Sequence, residues 1–367
     1  MSQRPALSKI STDALVPLLD SDPALFLLDV REPDEVAEWR ISGVHNVPLG
    51  ELDRRISEVP TDKRVVVICA KGARALQGAQ ILLDHGISSE VLDGGMGAWA
   101  STYDHVERDF AGASVVQLRR RGKGCLSYVI GAGGNAVVID PSLSSEVYEE
   151  VAISHGWKIT YILDTHLHAD HISGARKLVE RTGAKLMLSP SDPFEFEFTP
   201  LVDGLQIEIT TGVSLGVSAV SVPGHTEGST MYQLGDSAIF TGDTLFLESV
   251  GRPDLADQAE PFAHNLYESL HTRVLPLNDD IMVFPAHYGD GVEVHAGEFV
   301  SKKLGALRNT LPALMLSETD FVAWAVANVK DRPPNYQHIV LINAGREKLT
   351  DDAAEMELGP NRCAIAS

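Results

Sequence analysis

The sequence predicts two domains in series: an α/β domain with a parallel sheet and flanking helices, then a larger α+β domain of two sheets with helices outside. Three observations carry this. The chain has 367 residues, long for a single hydrophobic core. Up to about residue 102, short apolar strands alternate with helical spacing, the pattern of a parallel sheet. From about residue 113, strand-like runs follow one another with fewer helices between them. The expected boundaries are a first domain over residues 1–105, a linker over 106–112, a second domain over 113–295, and a C-terminal extension over 296–367 packed on the second domain.

In the first domain, LFLLDV (25–30) and RVVVICA (64–70) are short apolar strands, the second β-branched and buried on both faces. ARALQGAQILLDH (73–85) has helical spacing, with Gly86 as its C-terminal stop. SSEVLDGG (88–95) is a third strand ending at a glycine turn. Residues 100–114 lose periodicity and read as a linker. In the second domain, 126–142 reads as two strands joined by a Gly-Gly-Asn turn. Further strands are expected at 161–165, 184–190, 205–210, 217–225, 231–243 and 281–287, with a helix over 173–183. The last stretch has helical segments and the loop RPPNY (332–336).

Apolar content is 44% and charged content 22%, ordinary for a globular protein, while the formal net charge is −21. So acidic a surface repels phosphate backbones and anionic lipid, which argues against nucleic-acid and membrane partners. No apolar run reaches the length of a membrane span, and the N-terminus has no secretory signal pattern. Three scattered cysteines, Cys69, Cys125 and Cys363, do not make a disulfide framework, so a reducing, cytoplasmic setting is expected.

Cys69 opens the loop CAKGAR (69–74) between a strand and a helix. Inward-turned amides at a helix N-terminus stabilise an anion, here a thiolate or a persulfide. Lys71 and Arg74 add positive charge for an anionic substrate. A cysteine taken at random is most often buried and structural, and Cys125 and Cys363 are left at that reading. Asp29 and Arg31 read as a structural charge pair.

LLDVREPDEVAEWRISGVHNVP (27–48), CAKGAR (69–74) and LDGGMGAW (92–99) resemble the rhodanese family of sulfurtransferases over nearly the whole first domain. The resemblance implies an α/β rhodanese domain that carries a persulfide on catalytic Cys69. The short loop matches sulfur transfer rather than the longer phosphatase loop.

Of the 13 histidines, five fall in three motifs that each follow an apolar strand. THLHADH (165–171) supplies His166, His168, Asp170 and His171; PGHTEGS (223–229) supplies His225; PAHY (285–288) supplies His287. Asp243, in TGDTLF (241–246), closes another strand. Imidazoles and carboxylates converging from strand ends are what a catalytic metal needs, and crowding them without a cation is costly. The remaining histidines read as ordinary surface or core residues.

This pattern resembles the metallo-β-lactamase superfamily, implying an αββα sandwich over roughly residues 113 to 290. The superfamily includes dinuclear zinc thioester hydrolases of the glyoxalase II type, in which all seven residues bind metal, and persulfide dioxygenases that use one iron. Three features favour the second: the rhodanese-like domain on the same chain, the run LFLESVGRPDL (245–255), and the segments 124–131 and 332–345, which resemble rhodanese-fused members. By that resemblance His166, His225 and Asp243 hold one Fe(II) per chain, with zinc as the alternative. His168, Asp170, His171 and His287 then orient ligands and handle protons, or hold a second metal, and Arg252 meets the anionic substrate. The implied reaction oxidises a low-molecular-weight persulfide with O2 to sulfite and free thiol, with thiosulfate as a further product where Cys69 passes sulfur to a sulfite acceptor. A homo-oligomer is a family-level expectation. Val250 ahead of Gly251-Arg252, and Tyr288-Gly289 after His287, depart from the mitochondrial dioxygenases and leave the thiol carrier open.

Overall fold

The computed structural model describes residues 7–217, 221–255, 258–289, 291–329, 332, 335–350, 353–359 and 361–365. The chain divides into two compact units, the first built mainly on residues up to Asp104 and the second mainly on residues from His105 onward.

The first unit holds five strands: β1 (Ser8–Ile10), β2 (Leu25–Asp29), β3 (His45–Asn46), β4 (Arg64–Ile68) and β5 (Ser89–Leu92). They run in the order β1-β5-β4-β2-β3, and every pairing is parallel. Central β4 is buried from Val65 to Ile68, which explains its unbroken β-branched run. The helix Ala73–Asp84 buries Ala75, Gly78, Ala79 and Leu82 against it, at helical spacing. Asp29 and Arg31 form a buried two-pronged pair, Nε to Oδ1 at 3.0 Å and Nη2 to Oδ2 at 2.7 Å.

The second unit is a sandwich of two sheets. One contains β6 (Tyr103–Phe110), β7 (Ala113–Arg120), β8 (Cys125–Ala132), β9 (Asn135–Ile139), β10 (Lys158–Leu163), β11 (Lys185–Leu188) and β12 (Thr199–Pro200), in the order β12-β11-β10-β9-β8-β7-β6. The other contains β13 (Leu205–Thr210), β14 (Val213–Val217), β15 (Tyr232–Leu234), β16 (Ala238–Gly242), β17 (Met282–Pro285) and β18 (Lys302–Lys303), in chain order. Between the sheets lies an apolar core that includes Tyr128, Ile130, Ile139, Leu163, Tyr232, Phe240 and Phe284. The helices Glu146–Ser154 and Ala175–Thr182 cover the outer face of the first sheet. Among the described residues no helix is long and apolar enough to cross a membrane.

Three expectations change. The stretch read as an aperiodic linker contains strand β6, at the sheet edge. The run 231–243 is a hairpin, β15 and β16, rather than one strand. In 217–225, residues 218–220 lie outside the described residues, and 221–225, with His225, form no strand.

Candidate metal centre and sulfur site

The sandwich of the second unit brings its polar residues together at strand ends. His166 to His171 lie in the loop after β10, Asp243 follows β16 directly, and His287 follows β17. His225 lies in the segment between β14 and β15. All seven residues are buried, from 0% to 2% exposed, so each polar atom needs a partner.

His166 Nε2 and His225 Nε2 each lie 3.5 Å from Asp243 Oδ2. None of these three atoms has a hydrogen-bond partner. They form one of the sets whose ligand atoms all lie within 4.8 Å of one another. The other nitrogen of each ring is fixed. His166 Nδ1 is 2.9 Å from Thr165 Oγ1, which donates to Asp140 Oδ2 at 2.9 Å. His225 Nδ1 donates to the Arg252 carbonyl at 2.9 Å. Both rings therefore turn an Nε2 lone pair toward Asp243 Oδ2, as outer partners do for metal-binding imidazoles. Burial pushes His166 well below its ordinary value and lowers His225, keeping both neutral. Burial pushes the Asp243 carboxyl up, yet the facing His287 imidazole outweighs it and holds it below the usual carboxylate range. Two neutral imidazoles and an ionised carboxylate, all unpartnered, fit a single divalent cation with open positions.

Three of the remaining residues also hold a buried nitrogen without a hydrogen-bond partner, His168 Nδ1, His171 Nε2 and His287 Nε2. His168 Nε2 is 3.2 Å from Asp140 Oδ1, and its ring converges with Asp140 and Asp164. His287 Nδ1 donates to Asp243 Oδ1 at 2.7 Å, and its Nε2 stands 3.0 Å from Asp170 Oδ2. Asp170 Oδ1 accepts from His171 Nδ1 at 2.9 Å. Asp170, His171 and His287 form a second possible cation set together with Cys125, whose Sγ is 3.8 Å from Asp170 Oδ2. Burial raises the Cys125 thiol, but facing His171 and His287 bring it down to about 6. Cys363 stands in a further such set with Asp243 and His287. The sequence left both cysteines as structural. Cys125 reaches the cluster through a bridge to His287, a pairing across 162 residues that no local pattern announces.

Arg252, expected to meet an anionic substrate, is 1% exposed and pairs through Nε and Nη2 with Asp254 at 2.7 and 2.9 Å. Its Nη1 donates to the Arg362 carbonyl at 3.0 Å. The side chain braces the segment that supports His225. Sequence reasoning also missed Asn343 and Glu357, which bond the backbone of the His168–Ser173 stretch.

In the first unit, Cys69 directly follows β4 and its Sγ accepts from Gly72 N at 3.1 Å and Ala75 N at 3.3 Å. Gly72 takes φ +97°, a conformation that favours glycine and turns its amide onto the sulfur. Gly95 packs on the loop so closely that a Cβ would overlap the Cys69 carbonyl. Lys71 is exposed. Arg74 is held by Glu35 through two contacts of 2.7 Å. Its hydrogen bonds hold the Glu35 carboxyl down to about 2.

An αββα sandwich gathering imidazoles and carboxylates at its strand ends is the architecture of a metallo-β-lactamase-type metalloprotein. The family models agree: Metallo-beta-lactamase superfamily matches residues 120–287 and Rhodanese-like domain matches residues 11–102. The human mitochondrial persulfide dioxygenase ETHE1 is 31% identical over 192 residues, 51% of this chain and 69% of that protein. A hydroxyacylglutathione hydrolase from Methylobacillus flagellatus is 37% identical over 119 residues, 32% of this chain. That match spans 46% of the hydrolase, under half its length. The crystal structure of ETHE1 from Myxococcus xanthus superposes with a TM-score of 0.56 at 26% identity, covering 64% of this chain and 99% of that one. The chain belongs to the metallo-β-lactamase superfamily, carries a rhodanese-like domain ahead of that fold, and is related to the ETHE1-like persulfide dioxygenases.

Proposed function

We propose that the chain is a non-haem Fe(II) persulfide dioxygenase coupled to a rhodanese-type sulfurtransferase. The observation that carries this is the buried, unpartnered set His166 Nε2, His225 Nε2 and Asp243 Oδ2. Bound there, Fe(II) supplies open coordination positions for dioxygen and a sulfur ligand. The overall reaction is R–S–SH + O2 + H2O → R–SH + sulfite + 2 H⁺. In it His287, hydrogen-bonded to Asp243, and the adjacent Asp170–His171 pair orient the ligands and handle the protons released.

In the first unit, the Cys69 thiolate attacks the sulfane sulfur of a persulfide. The S–S bond breaks, a thiol leaves, and the new persulfide anion rests on the amides of Gly72 and Ala75. Sulfite attacking that outer sulfur yields thiosulfate and restores the Cys69 thiolate.

The hydrolase relatives and the Asp170–His171–His287 convergence favour a second reading, a dinuclear zinc thioester hydrolase. Against it, Asp243 Oδ1 accepts from His287 Nδ1, and only Oδ2 is unpartnered, facing His166 and His225. His168 also converges with Asp140 and Asp164 rather than with the His166–His225–Asp243 set. Anaerobic purification with metal analysis, followed by oxygen-electrode assays across several low-molecular-weight persulfides, tests the proposal. The expected result is one iron per chain and oxygen uptake matched by sulfite. Two zincs per chain with thioester hydrolysis and no uptake would overturn it.

A further inference from the structure

The loop between β10 and the helix Ala175–Thr182 carries His166, His168, Asp170 and His171, yet it contains no helix and no named strand. Its buried peptide groups must find partners outside regular structure. Part of the support comes from the first sheet's side. Thr165 N donates to Asp140 Oδ1 at 2.6 Å, and Leu167 N donates to Asp192 Oδ2 at 2.8 Å. The other half of the loop is held from far along the chain. Asn343 Nδ2 donates to the carbonyls of His168 and His171 at 2.9 and 2.8 Å, and Asn343 Oδ1 accepts from Ser173 N at 2.9 Å. Glu357 Oε1 accepts from Ile172 N at 2.5 Å.

We infer that Asn343 and Glu357, in the C-terminal extension, are positioning residues for the metal centre: they fix the backbone that presents Asp170 and His171 to His287, the hydrogen-bond partner of Asp243. The inference rests on the iron reading above and adds to it residues that touch neither metal nor substrate. Three features support it. A carboxamide offers two donors and an acceptor in one plane, so Asn343 alone satisfies three backbone groups that bracket Asp170 and His171. Both side chains are buried, Asn343 at 5% and Glu357 at 1% exposure, so water does not substitute for them. The helix Tyr336–Asn343 is docked by the same face: Ile339 and Ile342 pack with Ile172 of the loop and with Ala353, and Asn343 follows at helical spacing. The apolar contact sets where the helix lies, and the amide then reads the loop backbone.

The test uses the full-length ferrous protein and the substitutions Asn343→Ala, Asn343→Asp, Glu357→Ala and Glu357→Gln. The readouts are the rate of iron release to a chelator, the EPR spectrum of the ferrous–nitrosyl adduct, and the thermal midpoint. Removing outer partners of metal ligands costs roughly 10–100-fold in metal affinity. Asn343 and Glu357 act one step further out, through the backbone that carries Asp170 and His171, so Asn343→Ala and Glu357→Ala are expected to release iron about 3–10-fold faster, with an altered nitrosyl spectrum. Glu357→Gln keeps the accepting oxygen and should stay close to the unsubstituted protein. Asn343→Asp keeps the acceptor but loses both donors and should behave like Asn343→Ala. Unchanged iron release and spectrum in both alanine variants would overturn the inference. So would a lowered midpoint that Glu357→Gln does not rescue, because that marks a purely structural role. If the unsubstituted protein holds no iron, the iron reading itself fails, and cobalt(II) release from the same variants still decides the positioning role.

Discussion

Arg252 serves the metal centre's surroundings through both its side chain and its backbone carbonyl. A Gly-Arg step beside a metal carboxylate invites a substrate-binding reading; the guanidinium pairs with Asp254 two positions on, and the Arg252 carbonyl anchors His225. Removing Arg252 takes two charge-assisted hydrogen bonds from Asp254 and leaves it Arg332, Nε to Oδ2 at 3.3 Å, a loss of about 1.5–3 kcal/mol. Arg252→Ala should therefore destabilise the protein by about that amount in denaturant melts, with iron loss alongside. A purely substrate-binding arginine would raise KM and leave the melt unmoved. Glu35 supplies a second test at this scale. Its folded value of about 2 lies below its ordinary 4.5, so its pairing with Arg74 stabilises the first unit above pH 4.5 and is lost as pH falls toward 2. Glu35→Gln should flatten the dependence of unfolding free energy on pH between 4.5 and 2, and leave the slope above that window unchanged. An unaltered slope across the window would show that the pair contributes nothing.

Elements were legible wherever burial wrote a period into the chain. β4 and the helix Ala73–Asp84 read correctly because one is buried along its length and the other on one face. β6 did not, because it is an edge strand in which Val106 is buried and most of its neighbours are exposed or half-exposed, so neither face shows alternation. The site divides in the same way. The clustered motifs THLHADH, PGHT and PAHY carry their chemistry in sequence, whereas Cys125, Asn343 and Glu357 reach the centre by tertiary pairing across more than 160 residues, which leaves no local trace. The segment after β16 adds a steric constraint. A Cβ on Gly251 would overlap the Asp243 carbonyl oxygen and come within 3.2 Å of His225 Cβ. Backbone cannot yield as a flexible side chain does, so Gly251→Ala should cost about 1–3 kcal/mol through overpacking. It should also lower iron content, because the two neighbours displaced are both proposed ligands. A variant with full iron content and an unchanged melt would show that the segment has slack.

At the scale of the whole molecule, the proposed function assigns one sulfur reaction to each unit. Cys69 needs the amides of Gly72 and Ala75, and the His166–His225–Asp243 set draws its outer partners from Thr165, Arg252 and His287. Under that proposal the reactions share substrates: a persulfide would be the oxidisable substrate of one unit and a sulfur donor to the other, and sulfite made at the first would be an acceptor for the second. Separate sites with shared metabolites predict a double dissociation. Cys69→Ser removes the sulfur nucleophile, so sulfur transfer to a thiol or to sulfite should fall to background while oxygen uptake with a supplied persulfide continues. Asp243→Ala removes the carboxylate from the cation set, so iron content and oxygen uptake should both collapse while sulfur transfer persists. With both functions intact, the product mixture should shift from sulfite toward thiosulfate as persulfide is supplied in excess, and Cys69→Ser should hold it at sulfite. Loss of both activities in the Cys69→Ser protein would mean that sulfur must pass through Cys69 before it can be oxidised, and the two sites would then be obligate stages of one reaction.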